Sequence, residues 1–321
     1  MSINAPVPAV AAEIGGDALS PSIADDFSSA RDWLMMLKPR VMTLVVYSGF
    51  AGLLVAPDHI HPIIAFAAIV CIAVGAGAAG AINMWYDRDI DAIMRRTAKR
   101  PIPAGRIAAD EALAYGVFLA VASVLVMGLA TNWFAAALLA GSIAFYVGIY
   151  TMWLKRRTPQ NIVIGGAAGA FPPLIGWAAV TGGLDVMPWL LFGMVFLWTP
   201  PHFWALSLFA HADYERAGVP MLPVVAGARE TRRQVLIYTL IMVPFTLLPW
   251  MLGLSGPVYG ASAGVLGAYF LYSSWKLWTD AQDEHGVSLT KDAPAKATFK
   301  YSIVYLFALL GALVVDWLVR S

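Results

Sequence analysis

Residues Ile63–Met84 read IIAFAAIVCIAVGAGAAGAINM, a run in which Asn83 is the one polar side chain. Its length meets the ~20 residues that carry a helix across a bilayer. It also lacks the alternation of a membrane-barrel strand. The rest of the chain has the same character. Of 321 residues, 60% are apolar and 13% charged, with a mean hydropathy of +0.70, against roughly 45–50% and ~25% in soluble proteins. Too few polar side chains exist to cover a water-facing body, so the composition predicts an integral membrane protein. A net charge of +1 leaves no basic footprint for nucleic acid. The single cysteine, Cys71, lies inside the opening run and reads as apolar filler, which excludes disulfide frameworks and thiolate metal sites.

Working outward, comparable apolar runs occupy 38–56, 63–84, 109–130, 133–153, 161–180, 187–208, 234–253, 257–277 and 299–319. The fold class predicted is all-α, with nine transmembrane helices forming one domain over 31–321. Residues 1–30, rich in Ala, Ser, Pro and Asp, read as a disordered cytoplasmic tail without the pattern of a signal peptide. Taking alternate loops, 20 of the 21 basic residues fall on one side and Arg320 alone on the other. By the positive-inside rule the chain is N-in and C-out. The long charged loops follow the second and sixth helices, a spacing that suggests a four-helix unit used twice.

The opening run leads into Asn83-Met84-Trp85-Tyr86-Asp87-Arg88-Asp89-Ile90-Asp91. If the helix continues, Asn83, Asp87 and Asp91 form one stripe about 12 Å long, with Asp89 on the far side. Two carboxylates on one face repel unless a cation lies between them. Mg²⁺ suits, because it joins one or two carboxylates to substrate phosphates. Downstream, Arg95-Arg96-Thr97-Ala98-Lys99-Arg100 supplies donors for phosphate oxygens. The bland alternative is a solvated helix end whose arginines only set topology; it accounts for the arginines but not for the acid stripe.

The pattern Asn83-xxx-Asp87-xxx-Asp91-xxxx-Arg96-Thr97-xx-Arg100-Pro101 resembles the first aspartate-rich motif of the UbiA-type intramembrane prenyltransferases, over residues 32 to 320. The resemblance implies nine helices, Mg²⁺ and an isoprenyl diphosphate whose prenyl group passes to an aromatic or macrocyclic acceptor. It implies that Asn83, Asp87 and Asp91 hold magnesium and that Arg96 and Arg100 meet the diphosphate. Lys155 and Asn161, in a segment similar to the family's helix 4–5 region, would also reach it, although the Lys155-Arg156-Arg157 run also serves topology. Gly165, Gly166 and Gly169 are expected at close helix contacts.

A second segment reads Pro200-Pro201-His202-Phe203-Trp204, then His211-Ala212-Asp213-Tyr214-Glu215-Arg216-Ala217-Gly218-Val219-Pro220-Met221. It departs from the family's second repeated-aspartate motif, since Phe209 stands four residues before Asp213. In detail it is similar to the heme-farnesylating branch of the family. That similarity implies joining farnesyl diphosphate, heme B and water into heme O and diphosphate, feeding a downstream heme-modifying enzyme or terminal oxidase assembly. It also implies a bacterial inner membrane with the site on the cytoplasmic face. Asp213 is expected at a second Mg²⁺ or the diphosphate, unless it caps the turn before Gly218. His202 has three readings: an axial iron ligand, a base that orients water, or a polar residue hydrogen-bonded at a proline-broken helix end. His211 reads as exposed, and His59, His61 and His285 as solvated. Two competing functions are prenyl transfer to an aromatic quinone precursor, which a full second acidic motif would favour, and ion transport, which would place charge near the bilayer midplane.

Overall fold

The computed structural model describes residues 28–284 and 286–320. Apart from one bridge between Gln282 and Ser288, the regular elements among these residues are helices. Residues 1–27 of the expected tail, and His285, lie outside the described residues. The end of that stretch leads into α1 (Ala30–Met36), started by a reciprocal cap between Ser29 and Asp32.

The succession continues with α2 (Pro39–Leu54), α3 (Pro62–Tyr86), α4 (Arg88–Ile93), α5 (Ala109–Ala130) and α6 (Trp133–Ala144). The last of these runs on as a π-helix over Phe145–Leu154. Then come α7 (Asn161–Thr181), α8 (Val186–Phe209), α9 (His211–Arg216), α10 (Leu222–Val225), α11 (Gly227–Thr246), α12 (Leu248–Met251), α13 (Pro257–Trp278) and α14 (Ala293–Arg320). Local chemistry sets the starts. Pro39, Pro62 and Pro257 sit in first turns, where a missing N–H costs nothing. The side chains of Asn132 and Asp185 accept from Ala135 N–H (2.8 Å) and Val186 N–H (2.7 Å).

Each expected apolar stretch holds a helix. Among the described residues, six helical stretches are long and apolar enough to cross a membrane: α3, α5, α6 with its π continuation, α7, α11 with α12, and α14. The apolar part of α2 is shorter, Val41–Leu54. Prolines, tryptophans, tyrosines and serines dilute the hydropathy of α8 and α13. Helices α11 and α14 begin at Gly227 and Ala293, ahead of the expected 234 and 299, because their first turns carry Arg229, Glu230, Arg232 and Lys296, which a hydropathy reading does not mark.

Helix α7 is the most enclosed of the six. On one side its apolar residues join a core with α2, α8, α11, α13 and α14, and on the other a core with α2, α3, α5 and α6. Backbones touch where α2 crosses α7. A Cβ on Gly176 would lie 2.0 Å from Gly49 O, and one on Gly52 would lie 2.2 Å from Pro173 O. Small residues allow such an approach where water supplies no drive to bring helices together. Buried hydroxyl pairs join the C-terminal helices: Thr239 with Ser274 (3.0 Å), Thr246 with Tyr305 (3.1 Å) and Ser273 with Thr298 (2.9 Å). Large apolar side chains such as Phe66, Leu129 and Val265 point outward, as a lipid-facing surface requires.

Candidate active site

Asp87 (φ −89°, ψ 7°) is the junction between α3 and α4, so the single long helix expected through Asp91 is interrupted there. The four-residue register survives the break. Asp87 N–H donates to Asn83 O (2.9 Å) and Asp91 N–H donates to Asp87 O (2.8 Å). Arg88 and Arg156 donate to Trp85 O (2.8 Å) and Tyr86 O (3.0 Å), satisfying carbonyls that a helix end leaves open.

The stripe is deeply buried, with Asp87 at 0%, Asp91 at 2% and Asn83 at 4% exposure. Carboxylates so buried require compensation, and it comes from far along the chain. Lys155, just past the π-helix, pairs with Asp87 Oδ2, and Arg100 pairs with Asp91 Oδ2 at 2.6 Å. Asn83 donates to Asp87 Oδ2 (2.7 Å) and Thr151 Oγ1 (3.2 Å) while its Oδ1 accepts from Lys38 Nζ (2.7 Å). In this arrangement Asn83 orients Asp87, and its amide oxygen is engaged by Lys38. The Lys38 ammonium lies within electrostatic reach of Asp87, Asp91, Arg100 and Lys155. Arg156 forks onto Asp89 (2.6 and 2.7 Å). Those bonds hold the half-exposed Asp89 carboxyl below the usual carboxylate range. Thr97 Oγ1 donates to Asp91 O (2.8 Å), which folds the basic segment back over α4.

Three carboxylates thus meet four cations, with exposed Arg95, Arg96 and Lys99 beside them. The surplus is positive and suits an anion rich in oxygen. Asp87 Oδ1 is buried and accepts no hydrogen bond; Arg156 stands 3.5 Å away. Among the described residues, no group of three or more His, Cys, Asp or Glu side chains could close around a metal alone. Two carboxylates with a free buried oxygen fit Mg²⁺, which completes its octahedron with water and phosphate.

The second segment meets the first through Tyr214, Val219 and Met221, which pack with Ile90, Met94 and the Ile162 side chain of α7. Asp213 pairs with Arg216 one turn on. Half-exposed His211 lies 3.8 Å from Glu215. Helix α8 continues through Pro200 and Pro201 to Phe209, so His202 is mid-helix and not at a broken end. Its ring is sandwiched between Trp198 (4.3 Å) and Phe299 (4.8 Å), and Nδ1 lies 2.6 Å from Ser302 Oγ.

A family model described as "UbiA prenyltransferase family" matches residues 45–304. The chain belongs to the UbiA prenyltransferase family. Its relatives include the protoheme IX farnesyltransferase of Acidiphilium cryptum, 70% identical over 91% of this chain and 92% of that one. The protein of the same name from Granulibacter bethesdensis is 66% identical over 90% and 91%. Among solved structures, digeranylgeranylglyceryl phosphate synthase aligns with TM-score 0.72 at 19% identity, over 89% of this chain and 98% of that one. A UbiA homolog from Archaeoglobus fulgidus bound to DMAPP and Mg²⁺ aligns at 0.62 and 17% identity, over 87% and 99%. At those identities the likeness concerns the fold. Family membership and the apolar helices make this an integral membrane protein.

Within the UbiA framework the expected residues divide. Asn83, Asp87, Asp91, Arg100 and Lys155 converge. Arg96 is exposed and forms no ion pair with a described residue. Asn161 opens α7 fully buried, donating to Thr158 O (2.6 Å) and leaving Oδ1 without a partner. Of the glycines, Gly165 is held against Tyr150 and Gly166 against Thr199, while Gly169 faces open space, contrary to the close packing expected there. The sequence reading missed Lys38, Thr151 and Arg156 as parts of the cluster, and Ser302 beside His202. In the sequence Lys38 and Arg156 read as basic residues of the charged side, and no local spacing marks any of the four.

Proposed function

We propose that the chain transfers a farnesyl group from farnesyl diphosphate to a vinyl group of heme B, with addition of water, giving heme O and diphosphate. The observation that carries the reading is the 70% identity, across 91% of the chain, to a protein named protoheme IX farnesyltransferase. The buried acid cluster with its surplus of cations supplies the chemistry such a transfer needs. No observation favours the quinone-precursor or transport readings.

In this reading Asn83, Asp87 and Asp91 form the magnesium side of the site, with Asp213 as a contact for a second ion or for the diphosphate. The A. fulgidus homolog bound to DMAPP and Mg²⁺ supports a metal here. Magnesium, when bound, neutralises charge that builds on the departing diphosphate. Lys38, Arg100, Lys155 and Arg156 point donors at the same region, with Arg96 and Asn161 at its edges. They act as preorganised electrostatics, fixed before the bond breaks. The C–O bond breaks with its electron pair on diphosphate. The allylic cation is shielded by the Tyr146–Tyr150 ring pair (5.3 Å), whose Tyr146 lies in the field of Asp87, Asp91 and Arg100. The vinyl carbon bonds to farnesyl C1, and water adds to the resulting cation with loss of a proton. His202 is the heme-facing group. We further propose nine crossings, N-in and C-out, with the site at the cytoplasmic face of a bacterial inner membrane; the 20-to-1 split of basic residues supports that orientation.

The test is a product assay on purified protein with heme B, Mg²⁺ and farnesyl diphosphate, read by mass spectrometry with an EDTA control. A metal-dependent gain of one farnesyl and one water is expected. Prenylation of 4-hydroxybenzoate with none of heme would overturn the acceptor.

A further inference from the structure

Ser302 Oγ makes two contacts, 2.6 Å to His202 Nδ1 and 2.7 Å to Phe299 O. A hydroxyl has one proton, and a carbonyl can only accept. With that proton on Phe299 O, Ser302 must accept from His202, and the ring proton is therefore on Nδ1. The reverse assignment would leave two oxygens 2.7 Å apart with no hydrogen between them. Three further contacts hold the ring. Trp198 and Phe299 stack on its faces at 18° and 27°, and Phe203 meets it edge-on at 5.1 Å. Trp198 is itself fixed by its indole N–H, which donates to Ser302 O at 2.7 Å. No carboxylate touches the imidazole among the described residues, and an unpaired imidazolium in such a site is costly, so the ring is neutral. Its Nε2 lone pair forms no hydrogen bond with any described residue.

We propose that Ser302 is a positioning residue that locks His202 in the Nδ1–H tautomer, so that the Nε2 lone pair is presented to the heme substrate. The heme part rests on the proposed function; the tautomer does not. A partner that fixes the far nitrogen of a histidine sets both ring orientation and the basicity of the near one, and losing such a partner costs on the order of 10–100-fold in affinity or activity. Residue 302 lies 100 positions from His202, on α14, so the device joins two distant helices at one ring.

The experiment has two arms on full-length protein in detergent. In the first, ¹⁵N-histidine NMR reads the tautomer, with His202 assigned by comparison with His202→Ala. Wild type should show a protonated Nδ1, Ser302→Ala should move toward the Nε2–H form, and Ser302→Thr should restore the wild-type pattern. A wild-type ring protonated on Nε2 overturns the proposal. In the second, protoheme is titrated and followed by its Soret band. Ser302→Ala should weaken the His202-dependent signal by roughly 10–100-fold, with Ser302→Thr close to wild type. A correct tautomer with undiminished heme binding in Ser302→Ala overturns the positioning role. If His202→Ala binds heme with the wild-type spectrum and affinity, axial ligation by His202 fails, while the NMR result stands by itself.

Discussion

Replacing Lys155 with Met removes one charge and little volume from the centre of the cation set. Lys155 pairs with Asp87 Oδ2, an atom that also accepts from Asn83 at 2.7 Å. With the ammonium gone, Asp87, which has no solvent exposure, keeps that amide bond and the Arg156 guanidinium 3.5 Å from its other oxygen. A hydrogen bond to a charged group contributes about 1.5–3 kcal/mol, equivalent to roughly 10- to 150-fold in rate or affinity. If Lys155 serves the leaving diphosphate, that factor appears in kcat. If it only balances Asp87, the factor appears in the Mg²⁺ requirement and the melting temperature. Steady-state turnover at varied farnesyl diphosphate and Mg²⁺, with a thermal melt, separates the two. Lys155→Arg keeps the charge and should recover part of the loss. Wild-type kcat and metal requirement in Lys155→Met would refute the assignment of this cation to the site.

Asp87→Ala should abolish turnover while the protein still elutes as a folded species, and EDTA should do the same to wild type; turnover surviving either would remove magnesium from the site. Lys38→Met removes a cation beside the acid stripe and frees the Asn83 amide oxygen, so apparent Mg²⁺ affinity should tighten, read as an activation curve shifted to lower Mg²⁺; a curve shifted to higher Mg²⁺ would contradict it. Arg232, 1% exposed, donates to Gly286 O (2.9 Å) and lies 3.6 Å from Asp280 and 3.9 Å from Asp292. Arg232→Met strands a buried carboxylate and should cost about 3–5 kcal/mol, with faster limited proteolysis around 279–292; an unchanged cleavage rate would contradict it. Gly176→Ala forces a methyl into Gly49 O and should lower stability by about 1–3 kcal/mol, seen as a drop in detergent melting temperature.

What could be read in advance was what is local. Asn83, Asp87 and Asp91 announce themselves because four-residue spacing in one strip of chain is visible without a fold, and the apolar runs declare helices because a bilayer selects for length and composition. Lys38 and Arg156 carry no such mark. They stand 45 and 67 residues from the groups they bind, and a basic residue at the end of an apolar helix has a sufficient topological reason to be there. Ser302 is still less visible, one hydroxyl in an apolar helix. The proline pair misled in the other direction. A proline removes one hydrogen bond and crowds the carbonyl four residues back, which points to a break at Pro200 and Pro201, but α8 runs on to Phe209 with its apolar residues packed in a core shared with α7, α11 and α14.

The wide turns at Phe145–Leu154 set a rule of counting on this stretch. Lys155 N–H bonds to Tyr150 O, five residues back (2.9 Å), as in a π-helix. Each such turn holds one residue beyond the α-helical number. Removing any single residue between 145 and 154 would take that surplus out of one turn and leave a helix still long and apolar enough to span. Thr151 or Lys155 would then swing by about 100° and leave Asn83 and Asp87 unattended. Across related sequences, this helix should therefore tolerate exchange of its aromatic and aliphatic residues while admitting almost no insertion or deletion.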